Sequence, residues 1–355
     1  MAEMKVKPQR VKDFCVCALE KAGMASDDAR IAAEVLVTAD MRGTATHGTI
    51  GLRGYIRQIR EGGMNPKADI EIVREGQTWA VVDGHAGLGV VTSFKAAQLA
   101  IAKAKSNTVG MVWVKNSNHF AAAGYYAMMC AEADMIGLAM TNADISLSAP
   151  GSAGRVIGNN AFAYGAPAGA APPVNLDIAM GVVAGGKVHA AAREGRSIPM
   201  GWAIDSQGVL TTDPKKYEEE GGATVPLAAH KGFGLALLIE ILAGVMTGGG
   251  IRTELKSYAH NPESPSGIGH FFMAIDIGTI MPIEEFRIRM DGLITGISSS
   301  PKAQGVDRIY LPGEMEYERE EKTNTEGFVL DDGALNNLKG LAQDLGLEDE
   351  GFWHQ

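Results

Sequence analysis

A chain of 355 residues is too long for one simple core and points to two or three compact lobes. Hydrophobic residues make up 46% and charged residues 21%, ordinary globular usage that excludes disordered and collagen-like classes. The net charge of −10, with no lysine- or arginine-dense run, argues against a nucleic-acid partner, because binding to a phosphate backbone is chiefly electrostatic.

Met1 to Arg10 lacks the apolar core of a secretion signal, and no stretch is long and clean enough to span a bilayer. A soluble, cytoplasmic protein with no membrane partner is expected. From residue 8 to about 70 the pattern is helical: Val11, Phe14, Cys15, Leu19 and Ala22 follow helical spacing. Ser26-Asp27-Asp28 caps a second helix that ends near Gly43. Cys15, Cys17 and Cys130 cannot form a disulfide framework and read as buried thiols. The second helix runs out in Asp40-Met-Arg42-Gly-Thr-Ala-Thr46-His47-Gly48; taken alone, His47 reads as a capping or surface histidine.

Trp79 to Asp83 reads as a strand and Ser93 to Lys105 as a helix. Between them, Gly84-His-Ala-Gly87-Leu-Gly89 is a strand-to-helix turn. It is not GxGxxG and has no acidic residue at the expected distance, so the ordinary Rossmann reading fails. The most informative stretch follows. The apolar run Val109 to Val114 ends in Lys115-Asn-Ser-Asn-His119, a helix begins at Phe120, and a second apolar run from Ile136 ends in Thr141-Asn142. This is strand, loop, helix, strand, and ligands of open α/β sheets collect beyond strand ends of this kind. His119 is therefore the first candidate for a reacting group.

Further on, Val174 to Asp177 reads as a strand end, Gly201 to Leu210 as a strand and turn, and Lys231 to Met246 as an apolar helix. From Leu311 the chain is charge-rich before a last helix near Gly333 to Leu345. The histidines show no metal-ligand spacing, and CxxC, nucleophile-elbow and P-loop patterns are missing, so no metal site is expected and hydrolase readings lose ground.

Several of these segments recur in a fixed order. Arg42-Gly-Thr-Ala-Thr-His47-Gly, Asn116-Ser-Asn-His119-Phe, Thr141-Asn142, Gly158-Asn-Asn160, Leu176-Asp-Ile-Ala179, Gly186-Lys187, Ile198 to Asp205, Thr212-Asp-Pro214 and Lys231 to Leu242 follow one another as in one family. Over nearly its whole length the chain resembles the malate/L-lactate dehydrogenase family, which is unrelated to the Rossmann-type enzymes of those names. That family includes ureidoglycolate, sulfolactate and 2,3-diketogulonate oxidoreductases and cyclic imino-acid reductases.

The resemblance implies an α/β protein: a non-Rossmann NAD(P)-binding α/β domain, 71–310, plus a helical domain built from both chain ends, 1–70 and 311–355, in a homodimer. It implies a dehydrogenase using NAD or NADP to move a hydride between a 2-hydroxy acid and its 2-oxo form. Cofactor contacts carried over by motif are Asn142, Asp177, Ile178, Ala179, Lys231, Gly313 and Glu314. The likeness assigns acid–base work to His119 and places Thr46 and His47 at the substrate, with Tyr55 lining the pocket. Departures also stand out. The family commonly reads HGxxR after the first histidine, where this chain has Gly51, so Arg53 and Arg42 are the remaining arginines for a substrate carboxylate. Phe120-Ala121 replaces an aromatic-glycine pair, and Gly158-Asn-Asn160-Ala161 replaces GTNP. These changes suggest a substrate other than plain malate or lactate. The alternatives are a cyclic imino-acid (pyrroline or piperideine-2-carboxylate) reductase, or a protein that binds nucleotide without turnover.

Overall fold

The computed structural model describes residues 5–330 and 332–347, so the outermost residues of both expected end segments lie outside it. The chain opens with strand β1 (Lys5–Val6) and helices α1 (Pro8–Lys21), α2 (Ser26–Met41) and α3 (Leu52–Glu61). Two 3₁₀ turns, Ala45–His47 and Thr49–Gly51, separate α2 from α3. Next come β2 (Glu71–Glu75), β3 (Trp79–Asp83), α4 (Gly89–Asn107), β4 (Val109–Ser117), α5 (Ala123–Glu132) and β5 (Met135–Thr141). The middle holds β6 (Ile145–Leu147), β7 (Ile157–Gly158), β8 (Ala161–Ala166), β9 (Val174–Ala179), α6 (Gly185–Arg193), β10 (Ala203–Ile204), β11 (Leu210–Thr211), α7 (Pro214–Glu218) and β12 (Ala223–Thr224). The chain closes with α8 (His230–Ile239), β13 (Ile268–Asp276), α9 (Ile277–Ile280), α10 (Ile283–Ser298), α11 (Glu314–Glu326), β14 (Phe328–Val329) and α12 (Asp332–Leu345).

A seven-stranded sheet in the order β2-β3-β4-β13-β5-β8-β9 organises the molecule. In it β3 and β4 run parallel, and the other neighbours pair antiparallel, so the sheet is not the doubly wound parallel type. β13, a segment that the sequence pattern did not single out, lies between β4 and β5. Its side chains alternate between two cores: Phe272 and Ala274 join the helices on one face, Phe271 and Met273 those on the other. Phe272 is fully buried, worth about 2–3 kcal/mol for the side chain, and this drives the strand into the sheet centre.

On the first face α4 and α5 cover the sheet, and α1, α2 and α12 continue the same core through Phe14, Leu36 and Leu338. Helices from the two chain ends touch each other, and β1 pairs with β14. On the second face α8 is followed by a π-helical turn, Glu240–Val245, rather than by the continuous helix that the apolar pattern predicts. Buried Glu240 accounts for the irregularity, since its carboxylate accepts from Asn160 Nδ2 at 2.8 Å and from the Arg252 N–H at 2.8 Å. A smaller sheet, β11-β10-β12-β6-β7, stands beside the first, and α6 and α7 pack with it around Val188, Ala203 and Tyr217. The charge-rich stretch before the last helix is itself helical, α11. Cys15 and Cys130 are buried as expected, whereas Cys17 is half-buried.

Candidate active site

His47 and His119, far apart in sequence, come together. Their rings are stacked with centroids 5.7 Å apart and planes inclined by 26°. His47 belongs to the turn after α2. That turn is set by Asp40, whose Oδ2 accepts from the Thr49 N–H at 3.0 Å and from its hydroxyl at 2.6 Å. Gly48 permits this, because a Cβ there would fall 1.8 Å from Asp40 Oδ1.

His119 sits past the end of β4, on a loop held by its neighbour Asn118. The Asn118 amide donates to the carbonyls of Ala86 (2.7 Å) and Gly87 (2.9 Å). Its Oδ1 accepts from Gln58 Nε2 at 3.1 Å and from the Ser266 N–H at 2.9 Å. The glycine-rich turn expected between β3 and α4 presses on the same loop, since a Cβ on Gly89 would lie 1.9 Å from the Asn118 carbonyl oxygen. So these glycines serve the histidine loop by allowing backbone against backbone. Ala121, at φ +63°, is in the left-handed region, and α5 begins only at Ala123 instead of Phe120 for that reason.

The chemistry of His119 is set by what surrounds it. The Tyr55 hydroxyl lies 2.6 Å from Nδ1, and the Ala121 N–H donates to the same nitrogen at 3.4 Å. A backbone N–H can only donate, so Nδ1 is an acceptor and the neutral ring carries its proton on Nε2. Burial pushes the Tyr55 hydroxyl well above the ordinary tyrosine range, which keeps it a donor. Burial, reinforced by His47, pushes His119 down to about 3. Tyr258 completes this nest, with its ring 5.3 Å from both Tyr55 and His119.

Beneath the nest lies a third histidine. His270 on β13 is fully buried, with Thr141 Oγ1 at 2.8 Å from Nδ1 and Ser117 Oγ at 2.9 Å from Nε2. Its ring lies flat on Phe120, 4.8 Å away at 3°. It ties the ends of β4 and β5 together, and burial brings it down to about 3.

A cleft of about 610 Å³ opens beside His47. Its walls include Arg42, Thr46, the first turn of α5, the β9 edge at Asp177, Ile178 and Ala179, Lys187 of α6, and Pro312 and Gly313. Thr46 Oγ1 is 2.9 Å from His47 Nδ1. Burial lowers the pKa of His47, and the negative charge of Asp177 opposes that shift. The Asp177 carboxyl is raised by the protein around it, although the Gly124 N–H, at 2.7 Å from Oδ2, and the nearby His47 and Arg42 hold it back.

The structure thus brings together Thr46, His47, Tyr55, His119, Arg42, Asp177, Ile178, Ala179 and Gly313. His119 and Tyr55 join the cluster through His47 and do not themselves line the cleft, and four more expected residues stand apart from it. Arg53 pairs with Asp344 at 2.8 Å and lines a separate hollow with Arg57 and Arg60, because its place on α3 turns it toward α12. Asn142 is buried with its amide spent on the loop after the π turn: Nδ2 donates to the Gly250 carbonyl (2.9 Å) and Oδ1 accepts from the Gly269 N–H (2.9 Å). Lys231 is exposed on the first turn of α8, outside the cleft lining. Glu314 accepts from the Leu311 N–H at 3.0 Å and pairs with Arg308. Arg42 reaches the cleft but is already paired, with Glu320 at 2.9 Å. Gln58, Tyr258, Ser266 and His270 escaped sequence reasoning, since each acts through contacts more than a hundred residues away or from a loop without pattern. Among the described residues no helix is long and apolar enough to cross a membrane.

Residues 6–339 match a family model described as malate/L-lactate dehydrogenase. The chain is 39% identical to the malate dehydrogenase of Pyrococcus horikoshii over 97% of its own length and 96% of that protein. It is also 39% identical to the L-sulfolactate dehydrogenase of Methanocaldococcus jannaschii, covering 98% of this chain and 99% of the relative. The crystal structure of malate dehydrogenase from Entamoeba histolytica superposes with a TM-score of 0.91 at 32% identity, covering 96% of this chain and 98% of that one.

Proposed function

The chain belongs to the malate/L-lactate dehydrogenase family, and on that premise we propose that it is an NAD(P)-dependent oxidoreductase interconverting a 2-hydroxy acid and its 2-oxo form. The observation that carries this reading is the stacking of His119 on His47, which itself lines a cleft walled by Asp177, Ile178, Ala179 and Gly313. A volume of about 610 Å³ falls within the range of cofactor sites, roughly 300–1,000 Å³, and Ala121 to Gly124 give it a wall of small side chains that a flat ring can approach closely. Asp177 offers a carboxylate for ribose hydroxyls. A bound nicotinamide supplies or accepts the hydride.

The protein's own part is proton transfer and orientation. With Nδ1 engaged by Tyr55 and Ala121, His119 presents Nε2–H, the form that hydrogen-bonds a carbonyl oxygen. The anionic substrate opposes the desolvation of the ring and favours the imidazolium, in which Nδ1–H donates to the Tyr55 oxygen, the hydroxyl turning to accept, and Nε2–H gives its proton to the developing alkoxide. Thr46 and His47 hold the substrate oxygens from the other side. The protein acts as a homodimer. This is supported by α10, which buries none of its residues and leaves Ile288 71% and Leu293 56% exposed, and by the exposed Leu235, Leu237 and Leu238 of α8.

The test is a cofactor-coupled assay of purified protein with NADH or NADPH across a panel of 2-oxo and imino acids, read in both directions. Turnover of 2-oxo acids is expected. Quenching of nicotinamide fluorescence with no turnover of any of them would replace this reading with nucleotide binding alone.

A further inference from the structure

We propose that the hollow beside α3 is a second ligand site, built for a small di- or oligophosphate, and that its occupancy is felt at His119 through Tyr258; the second half rests on the dehydrogenase reading above. The hollow measures about 610 Å³, as large as the cleft, and shares no lining residue with it. Arg53, Arg57 and Arg60 line it from α3, at the helical spacing that puts three guanidinium groups on one face. In a chain of net charge −10, such a concave patch concentrates positive potential where small anions can reach it. These charges are open to exchange. Arg53 meets Asp344 at 2.8 Å and Arg57 meets Glu61 at 2.7 Å, yet the four side chains are 40–58% exposed, so each pair is weak and a phosphate can displace it. Arg60 has no carboxylate partner among the described residues. A guanidinium gives two parallel N–H donors to one phosphoryl group, and neighbours a turn apart can hold linked ones.

Tyr258 carries occupancy inward. It lines the hollow, and its ring lies 5.3 Å from the rings of both Tyr55 and His119. Gly54 admits it, because a Cβ there would stand 2.8 Å from Tyr258 Cε2. A ligand seated in the hollow therefore packs on the same ring that packs on the imidazole.

The experiment titrates the wild type, R57M/R60M and R57K/R60K with inorganic pyrophosphate by calorimetry, with saturating NADH or NADPH present to fill the cleft. One pyrophosphate per chain is expected, bound at least about tenfold more weakly by R57M/R60M, the scale of losing charged hydrogen bonds, and recovered in part by R57K/R60K. Thermal midpoints without pyrophosphate should agree among the three, since both arginines are exposed. Pyrophosphate should then change kcat on a 2-oxo acid at least about twofold in the wild type, but not in R57M/R60M and not in Y258L, which still binds it. No binding, or equal binding by R57M/R60M, overturns the site. Binding that leaves the wild-type kcat unchanged overturns the coupling through Tyr258. Pyrophosphate binding with no turnover of any 2-oxo acid overturns the dehydrogenase reading and leaves the site in place.

Discussion

The Tyr55 hydroxyl lies 2.6 Å from His119 Nδ1, and with the Gln58–Asn118 bond it joins the first helical segment to the loop that bears the proposed reacting imidazole. Tyr55→Phe keeps the buried ring and removes only the donor. We expect kcat to fall about tenfold with KM nearly unchanged, the scale of one buried hydrogen bond, and the folded state to persist. Steady-state kinetics check this; a change confined to KM would show that Tyr55 acts on binding and not on the orientation of His119.

His119→Ala removes the proposed proton donor itself. Turnover should drop by about 10²–10⁴-fold while nicotinamide fluorescence still reports binding. Turnover near wild-type level would transfer the proton role to His47.

Acid should weaken the fold through His119 and His270. His119 and His270 are both brought down to about 3, so between that value and about pH 6.5 the unfolded chain binds protons that the folded protein refuses. Their contribution to stability is whole above about pH 6.5 and is lost as pH falls, at up to about 1.4 kcal/mol per pH unit for each ring. Urea titrations of wild type and His270→Asn between pH 7 and 4.5 isolate one ring: the slope should flatten by nearly one proton. Identical slopes would mean that His270 is protonated in the folded protein.

Ala121 carries a side chain where φ is +63°. Relieving a left-handed alanine gains about 1–2 kcal/mol, and the entropy of a new glycine costs about 0.4–1 kcal/mol, so the first effect wins. Thermal midpoints should follow the order Ala121→Gly, wild type, Ala121→Val, the β-branched variant lying lowest. A glycine variant less stable than wild type would show that the Cβ packing against its neighbours outweighs the backbone.

Arg53 tests the reach of the family pattern. Its guanidinium and Asp344 are both largely exposed, so Arg53→Gln should cost less than about 1 kcal/mol and leave kcat/KM within about twofold. A large rise in KM would mean that Arg53 swings into the cleft when substrate binds.

Much of the site was legible where a motif coincides with a change of secondary structure. The run Val109 to Asn142 announced β4, the histidine loop, α5 and β5 because two apolar strands end abruptly in polar residues. His47 was visible only as a histidine in a turn; its partnership with His119 depends on the folding of α3 beneath both. β13 left no period to read: Phe271-Phe272-Met273-Ala274-Ile275 is apolar throughout because both faces are buried, and such a run does not distinguish strand from helix. Asn142 and Lys231 carry motif-matched side chains, yet the hydrogen bonds of the one and the outward position of the other are properties of the fold, not of local spacing.

The placement of β13 also bears on biosynthesis. When the ribosome has delivered β4 and β5, each still shows an unpaired edge to the gap that residues 268–276 will fill, and Ser266 and His270 are not yet there to hold the His119 loop. A nascent chain cut short before residue 266 should therefore be inactive and prone to edge-to-edge association, and the finished enzyme should gain competence in a late step as that strand threads home.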